Sequence, residues 1–276
     1  MPPEGEAELI ERAKHGDREA FAQLYAPLER PLGTFLYRMT AMGQDAEDLT
    51  QETALKALET IGELDGASSF RIWIFRIAAS SALEYLREQK QWDPDAQLRA
   101  SGRAGEDSPM RRRLEKLHNS SPHTSFQIRE HIDFCFTCMG RTLPPRELAS
   151  LLLAEVHGFS SEEGAEALGD SGRVFRFRVQ QARDTLVDHY ETRCALINQQ
   201  GTCTQCTGLD TLLHGDRRHT EKALFQIGLE PHPDAAERAA TFPQRLAIVR
   251  EIDPLHAEGA KLHDFLMKLT REVNRY

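Results

Sequence analysis

The chain has 276 residues, a length typical of about two domains. Hydrophobic residues make up 40% and charged residues 28%, which supports packed cores and excludes a wholly disordered chain. The net charge of −9 argues against an indiscriminate nucleic-acid binder, so such a role must be local or shared with a partner. No apolar run approaches the roughly 18 residues of a membrane span. The acidic N-terminal segment lacks an export signal, so we expect a cytoplasmic protein.

Apolar residues recur at helical spacing along most of the chain, and no sustained period-two alternation occurs. Three such stripes begin at Phe21, Leu49 and Phe70, and the second is predicted to include Leu55. The C-terminal segment repeats the pattern with Leu255, Leu262, Leu266, Leu269 and Val273, which indicates one or two amphipathic helices. The predicted fold class is therefore all-α.

Composition divides the chain into two small helical domains, a flexible linker and a helical C-terminal extension. The predicted linker holds several Pro, Gly and Ser residues and the run Arg111-Arg112-Arg113. The predicted boundaries are 1–92 for the first domain, 93–125 for the linker, 126–190 for the second domain and 191–276 for the extension.

The second domain carries a helix-turn-helix pattern. Ser160 and Glu163 have the spacing of a capping box at a helix start, and Gly169 suits the tight turn that follows. In the next predicted helix, every charged residue between positions 171 and 183 is an arginine. Arginine suits guanine edges and phosphates in the major groove, although the same pattern also fits a solvated face of an ordinary helix hairpin.

Two segments in the first domain and one in the second together resemble bacterial sigma factors of the extracytoplasmic-function group. They are residues 45–55 (DAEDLTQETAL), residues 68–78 (SSFRIWIFRIA) and residues 143–183, which begin LPPRE. The resemblance covers about residues 10–190 and implies binding to core RNA polymerase. By position, the implied polymerase contacts are Asp45, Glu47, Asp48, Gln51 and Glu52. The sequence itself supports this implied contact, because Asp48 and Glu52 are four residues apart on a helix and present one acidic face.

The same resemblance implies promoter DNA as a second partner. The loop 63–69 and the helix 70–87 resemble the parts that open and read the upstream-ten element, although Trp73 is expected in the core. The implied DNA contacts are Arg71, Arg76, Arg173, Arg176, Phe177, Arg178 and Arg183. Two departures from the family pattern are Ala79-Ser80, in place of Arg-Asn, and Gly164, in place of a branched aliphatic residue. Gly164 is expected to weaken its helix by about 1 kcal/mol relative to alanine.

No sequence pattern of an enzyme active site is present, so we expect a non-enzymatic protein. The resemblance to sigma factors also implies an anti-sigma factor as a further partner. Two alternatives remain open. One is a stand-alone helix-turn-helix regulator, and the other is a regulator that senses thiol oxidation. The acidic face at 45–52 favours the polymerase-binding function, because a stand-alone regulator does not need it.

The C-terminal extension is distinguished by its cysteines. Cys203 and Cys206 form a Cys-x-x-Cys pair, and Cys194 lies upstream across a glycine turn. Three thiolates at this spacing suit a zinc site. The fourth ligand is expected to be Cys138 or Cys135 in preference to His214 or His219, and the extension held by this site is expected to act as a regulatory tail. A thiol redox switch and buried, inert cysteines are the alternatives.

Overall fold

The computed structural model describes residues 5–65, 68–107, 109, 110, 112, 113, 116, 128–193, 234 and 240–275. Within these ranges the chain forms helices and turns without any strand, so the predicted all-α fold is confirmed. None of the helices in the described ranges combines the length and the apolar content that a membrane crossing requires.

The helices fall into two compact units. In chain order they are α1 (Glu6–Lys14), α2 (Arg18–Thr40), α3 (Gly43–Thr60), α4 (Phe70–Arg87), α5 (Ala96–Glu106), α6 (Ile128–Gly140), α7 (Pro145–Leu151), α8 (Ser161–Leu168), α9 (Gly172–Arg193), α10 (Phe242–Glu251) and α11 (Ala260–Asn274). The first unit joins residues 1–89 to 145–180, and the second joins 90–144 to 181–276. The boundaries that the sequence suggests at 92, 125 and 190 stay predictions.

In the first unit, side-chain caps set the starts of two helices. Asp17 accepts hydrogen bonds from the backbone N–H groups of Glu19 and Ala20 at the start of α2. Ser69 accepts one from the N–H of Ile72 at the start of α4. These caps satisfy donors that the first turn leaves without intrahelical partners. Helices α2, α3 and α4 pack against one another, and their core includes Leu32, Phe35, Leu36, Ile74 and Phe75.

The predicted helix-turn-helix is confirmed in α7, α8 and the first turns of α9. A wider π-helical turn, Leu152–Val156, continues α7. Ser160 and Glu163 form the predicted capping box, and Gly169 ends α8 with a φ of 65° in the left-handed region. Glycine tolerates that conformation at no steric cost, so the tight turn follows directly from the sequence.

Gly164 has a packing role that the sequence does not reveal. A Cβ atom at this position would lie less than 3.0 Å from three ring atoms of Phe175. The Phe175 side chain is only 1% exposed and fills the space that a branched residue at 164 would occupy. The propensity cost expected of Gly164 stays a prediction, but the missing side chain also has a packing role because it admits the ring.

In the second unit, the predicted C-terminal amphipathic helices are confirmed as α10 and α11, except that Leu255, placed in the predicted stripe, lies in the turn between them. The Glu130 carboxylate accepts hydrogen bonds from the N–H groups of Glu258 and Gly259, at 3.1 and 2.6 Å, at the start of α11. The rings of Phe134 and His263 stack with centroids 5.0 Å apart. Helix α5 lies inside the predicted linker and packs against α11, so part of that segment is helical rather than irregular.

Candidate functional site

The face of α3 that was predicted to bind polymerase is strongly acidic and open to solvent. Four of its five side chains are exposed: Glu47, Asp48, Gln51 and Glu52. The fifth, Asp45, is half-buried and accepts a hydrogen bond from the hydroxyl of Tyr85. Asp45 is therefore held by α4, and Glu52 forms an ion pair with Lys56 one turn further along α3. Glu47, Asp48 and Gln51 present exposed side chains on the same face.

Leu55 extends this acidic face with an apolar side chain. The prediction that Leu55 lies in the core is wrong, because its side chain is 61% exposed. The buried stripe of α3 is formed instead by Ala46, Leu49, Thr53 and Ala57. Leu55 lies three residues after Glu52 and seven after Asp48, so all three share one helix face. A single exposed leucine is common on protein surfaces, so Leu55 is of interest here only because it shares a face with the carboxylates.

A pocket of about 560 Å³ opens between the end of α3, the loop that follows it and α4. Its lining residues are Lys56, Thr60, Glu63, Leu64, Asp65, Ser68, Trp73, Arg76, Ile77, Ser80, Ser81 and Glu166. Trp73 is only 7% exposed, as expected for a core residue, and it also forms part of this wall. The Lys56 ammonium donates a hydrogen bond of 3.1 Å to the Ser81 hydroxyl and also pairs with the Glu52 carboxylate, which partly balances its charge at the pocket.

The two predicted DNA contacts on α4 make contacts with the helix-turn-helix of the same unit. Arg71 donates a hydrogen bond to the carbonyl oxygen of His157, and its guanidinium carbon lies 3.8 Å from the ring centroid of Phe159. Arg76 donates to the carbonyl oxygen of Glu166 at 3.3 Å and pairs with the Glu166 carboxylate at 3.4 Å. Both arginines therefore have intramolecular partners in this conformation.

The His157 ring lies within an aromatic and cationic cluster. Its centroid is 5.7 Å from that of Phe35 and 5.3 Å from that of Phe75. The buried Nε2 atom has no hydrogen-bond partner among the described residues. Burial, and then the positive charges of Arg38 and Arg71, lower the pKa of His157 to about 3. The ring is therefore neutral at physiological pH.

The predicted DNA contacts on α9 separate into two groups. Arg173, Arg176 and Phe177 are exposed and project from one face in the first turns of the helix. Arg178 is instead half-buried and forms an ion pair with Asp170.

A second arginine also binds Asp170. The Arg146 guanidinium lies 3.2 Å from the same carboxylate, so Asp170 connects α7 to the turn before α9. Arg183 is half-buried further along the helix. The exposed residues Arg173, Arg176 and Phe177 can contact a ligand directly, whereas Arg178 pairs with Asp170 in the turn.

The predicted metal ligands fall partly outside the described residues. Cys194, Cys203 and Cys206 lie in the part that the structure does not describe. Cys135 and Cys138 are buried on successive turns of α6, 6% and 3% exposed. Among the described residues, no group of three or more Cys, His, Asp or Glu side chains is placed to hold a metal ion.

Comparisons with known proteins point to one family. Residues 24–91 match the sequence family Sigma-70 region 2. Over 182 residues the chain is 34% identical to the ECF RNA polymerase sigma factor SigG of Mycobacterium tuberculosis, an alignment that covers 63% of this chain. That alignment covers 48% of SigG, so the chain spans about half the length of this relative.

Two further proteins are similar over a comparable part of the chain. The RNA polymerase sigma-H factor of Pseudomonas aeruginosa is 26% identical over 186 residues, which cover 67% of this chain and 94% of that protein. The solved structure of CnrH in complex with the cytosolic domain of CnrY contains a chain with 20% identity and a TM-score of 0.47. This likeness covers 66% of the present chain and 95% of the other.

Proposed function

We propose that this chain, a sigma-70-like factor of the extracytoplasmic-function group, binds core RNA polymerase and directs it to promoter DNA. One observation carries the proposal. The match to Sigma-70 region 2 spans residues 24–91, and both the acidic face of α3 and most of the pocket beside α4 lie within that span.

The polymerase-binding surface proposed here combines charge with one apolar anchor. The exposed carboxylates of Glu47, Asp48 and Glu52 favour a basic partner surface, and complementary charge directs association and register. Leu55 supplies apolar area at the end of the same face. This arrangement supports docking of α3 on a basic surface of core polymerase.

The proposed promoter contacts lie at two places in the first unit. The pocket, about 560 Å³, is within the range of about 300–1,000 Å³ that accommodates small ligands, so one extruded base fits it. Extruding a base costs a few kcal/mol, which stacking and polar contacts in a shaped pocket offset. The exposed face of α9, with Arg173 and Arg176, suits the major groove of duplex DNA.

Promoter contact by α4 requires a change of partners. Arg71 and Arg76 would exchange their present contacts with the helix-turn-helix for phosphates or bases. The side chains of Arg76 and Glu166 are 48% and 39% exposed, and an ion pair this exposed contributes at most about 1 kcal/mol. DNA phosphate can therefore displace Glu166 at small cost.

In this proposal the chain performs no bond making. It lowers the barrier to promoter opening through binding, while the polymerase catalyses RNA synthesis in the cytoplasm. An anti-sigma factor is a further proposed partner, since the acidic face of α3 and the arginine-bearing face of α9 are both exposed.

We also infer a structural zinc site in the C-terminal extension. Cys194, Cys203 and Cys206 would supply three thiolates, and Cys138 or Cys135 the fourth. The positions of Cys135 and Cys138, three residues apart on α6, support this role because either thiol lies on the same side of the helix. Four thiolates suit a closed tetrahedral zinc site.

Run-off transcription on a genomic DNA library tests the main proposal. We expect specific transcripts only when the chain and core polymerase are both present. A stand-alone helix-turn-helix regulator is the second candidate, favoured by the exposed arginines of α9. It would instead protect specific DNA without polymerase and yield no transcripts of its own.

A further inference from the structure

We propose that Phe177 and Val174 contact the 5-methyl group of a thymine, so that α9 selects thymine at one position of the promoter segment that this helix contacts. This inference rests on the proposed promoter binding and assigns a base preference to that site. Phe177 is the main determinant and Val174 completes the apolar contact.

The first support is the exposure of two large apolar side chains next to each other. Phe177 is 63% exposed and Val174 is 39% exposed. They are three residues apart on α9 and therefore adjacent on its surface. Phe175, between them in sequence, is buried, so the core of the helix-turn-helix already has its aromatic residue. The two exposed side chains leave apolar area open to water, which a bound partner would cover.

The second support is the charge around the pair, which favours DNA over an apolar protein groove. Arg173 and Arg176 are exposed on the same part of α9, and no acidic residue lies between positions 171 and 183. The Arg176 side chain is 58% exposed, and its guanidinium lies 3.5 Å from the Glu162 carboxylate, a contact that a phosphate can replace. Cationic side chains that flank an apolar contact match a groove with anionic walls.

The third support is position along the helix. α9 begins at Gly172, so Val174 and Phe177 lie in its first two turns. In a helix-turn-helix, the N-terminal residues of the second helix reach base edges. Thymine is distinguished there by its methyl group, and phenylalanine is among the side chains that contact it.

The fourth support is the rigidity of the turn that positions these side chains. The Asp170 carboxylate forms ion pairs with both Arg146 and Arg178, and the ring of Phe175 packs against Gly164. These contacts fix the first turns of α9 relative to α7 and α8. A well-fixed helix can present one methyl-sized contact with the geometry that base selection requires.

Deoxyuridine substitution tests the inference, because uracil differs from thymine only by the missing methyl group. Promoter fragments are first selected from a random library with holoenzyme formed by core polymerase and the full chain. Each thymine in the promoter segment that α9 contacts is then replaced by deoxyuridine, one position at a time, and holoenzyme binding is measured by competition. At one position we expect a loss of about fourfold for the wild type, from about 0.8 kcal/mol per buried methyl group at 1.36 kcal/mol per tenfold.

The variants make the test specific. Phe177→Ala should bind the thymine promoter more weakly and should no longer distinguish thymine from deoxyuridine. Phe177→Leu should retain part of the discrimination. Val187→Ala, an apolar change further along α9, is the matched control and should keep the wild-type ratio.

Two results would overturn the inference while the proposed function stands. One is an equal affinity of the wild type for thymine and deoxyuridine at every position, and the other is an unchanged ratio in Phe177→Ala. If holoenzyme selects no DNA at all, the proposed function fails and this inference fails with it.

Discussion

Replacing Gly164 with valine should destabilise the helix-turn-helix, although valine is the better helix former. The Cβ atom of any new side chain would lie less than 3.0 Å from three atoms of the Phe175 ring. That ring is 1% exposed, so it cannot move aside into solvent. Overpacking of this kind costs about 1–3 kcal/mol, whereas valine gains only a few tenths of a kcal/mol of helix propensity over glycine. The expected net loss is about 0.5–2.5 kcal/mol.

Hydrogen exchange resolved for the amides of α8, together with urea unfolding, would measure this loss. The matched control is Gly102→Val in α5, where a new Cβ atom would meet nothing within 4 Å. The double variant Gly164→Val with Phe175→Leu should recover part of the stability, since the smaller side chain vacates the site. Such a pair in contact should couple by about 0.5–3 kcal/mol. Unchanged exchange in α8 of Gly164→Val would refute the packing argument.

Three further predictions concern the arginines of α9, the buried ring of His157 and the proposed zinc site. Arg178→Ala should lower the free energy of unfolding, measured by urea unfolding, because it breaks the pair with Asp170. Arg176→Ala should instead weaken promoter binding, measured by DNA competition, with little change in stability. The pKa of His157 is about 3 in the fold against about 6.5 in the unfolded chain, so between these pH values the unfolded chain binds more protons. Stability should therefore fall by up to about 1.4 kcal/mol per pH unit as the pH drops from 6.5 to about 3, and His157→Gln should flatten that slope in urea titrations. Cys203→Ser should release one bound zinc per chain, as elemental analysis would show, and a metal-free wild type would refute the site.

Local signals explain what the sequence predicted correctly. The capping box at Ser160 and Glu163 and the left-handed Gly169 depend on residues within one turn of each other, so the helix-turn-helix was readable. The amphipathic spacing of α11 is equally local, and Leu262, Leu266 and Leu269 are buried as predicted.

The features that sequence reasoning missed depend on distant residues. The fit of Phe175 against Gly164 joins positions eleven residues apart, and no spacing rule reports it. The spacing of apolar residues in α3 predicts that Leu55 is buried, but the buried face of the helix lies on the opposite side. Helix α5 forms within a segment rich in helix breakers because packing against α11 outweighs weak propensity.

The contacts of the predicted DNA-binding arginines were also beyond sequence reasoning. All of them have the same charge and length, and only the structure separates exposed Arg173 from Arg178, which pairs with Asp170. A run of arginines therefore indicates a basic surface, while the role of each side chain depends on the acidic groups around it.

Co-elution with core RNA polymerase tests the central proposal most directly. Asp48→Arg combined with Glu52→Arg reverses two exposed charges on α3, and like-charge contact at a complementary interface costs several kcal/mol. The matched control is Glu84→Arg with Glu88→Arg, an exposed acidic pair at the same spacing at the end of α4. We predict that the α3 variant no longer co-elutes with core polymerase, while the control co-elutes like the wild type. Equal co-elution of all three proteins would contradict polymerase binding through α3.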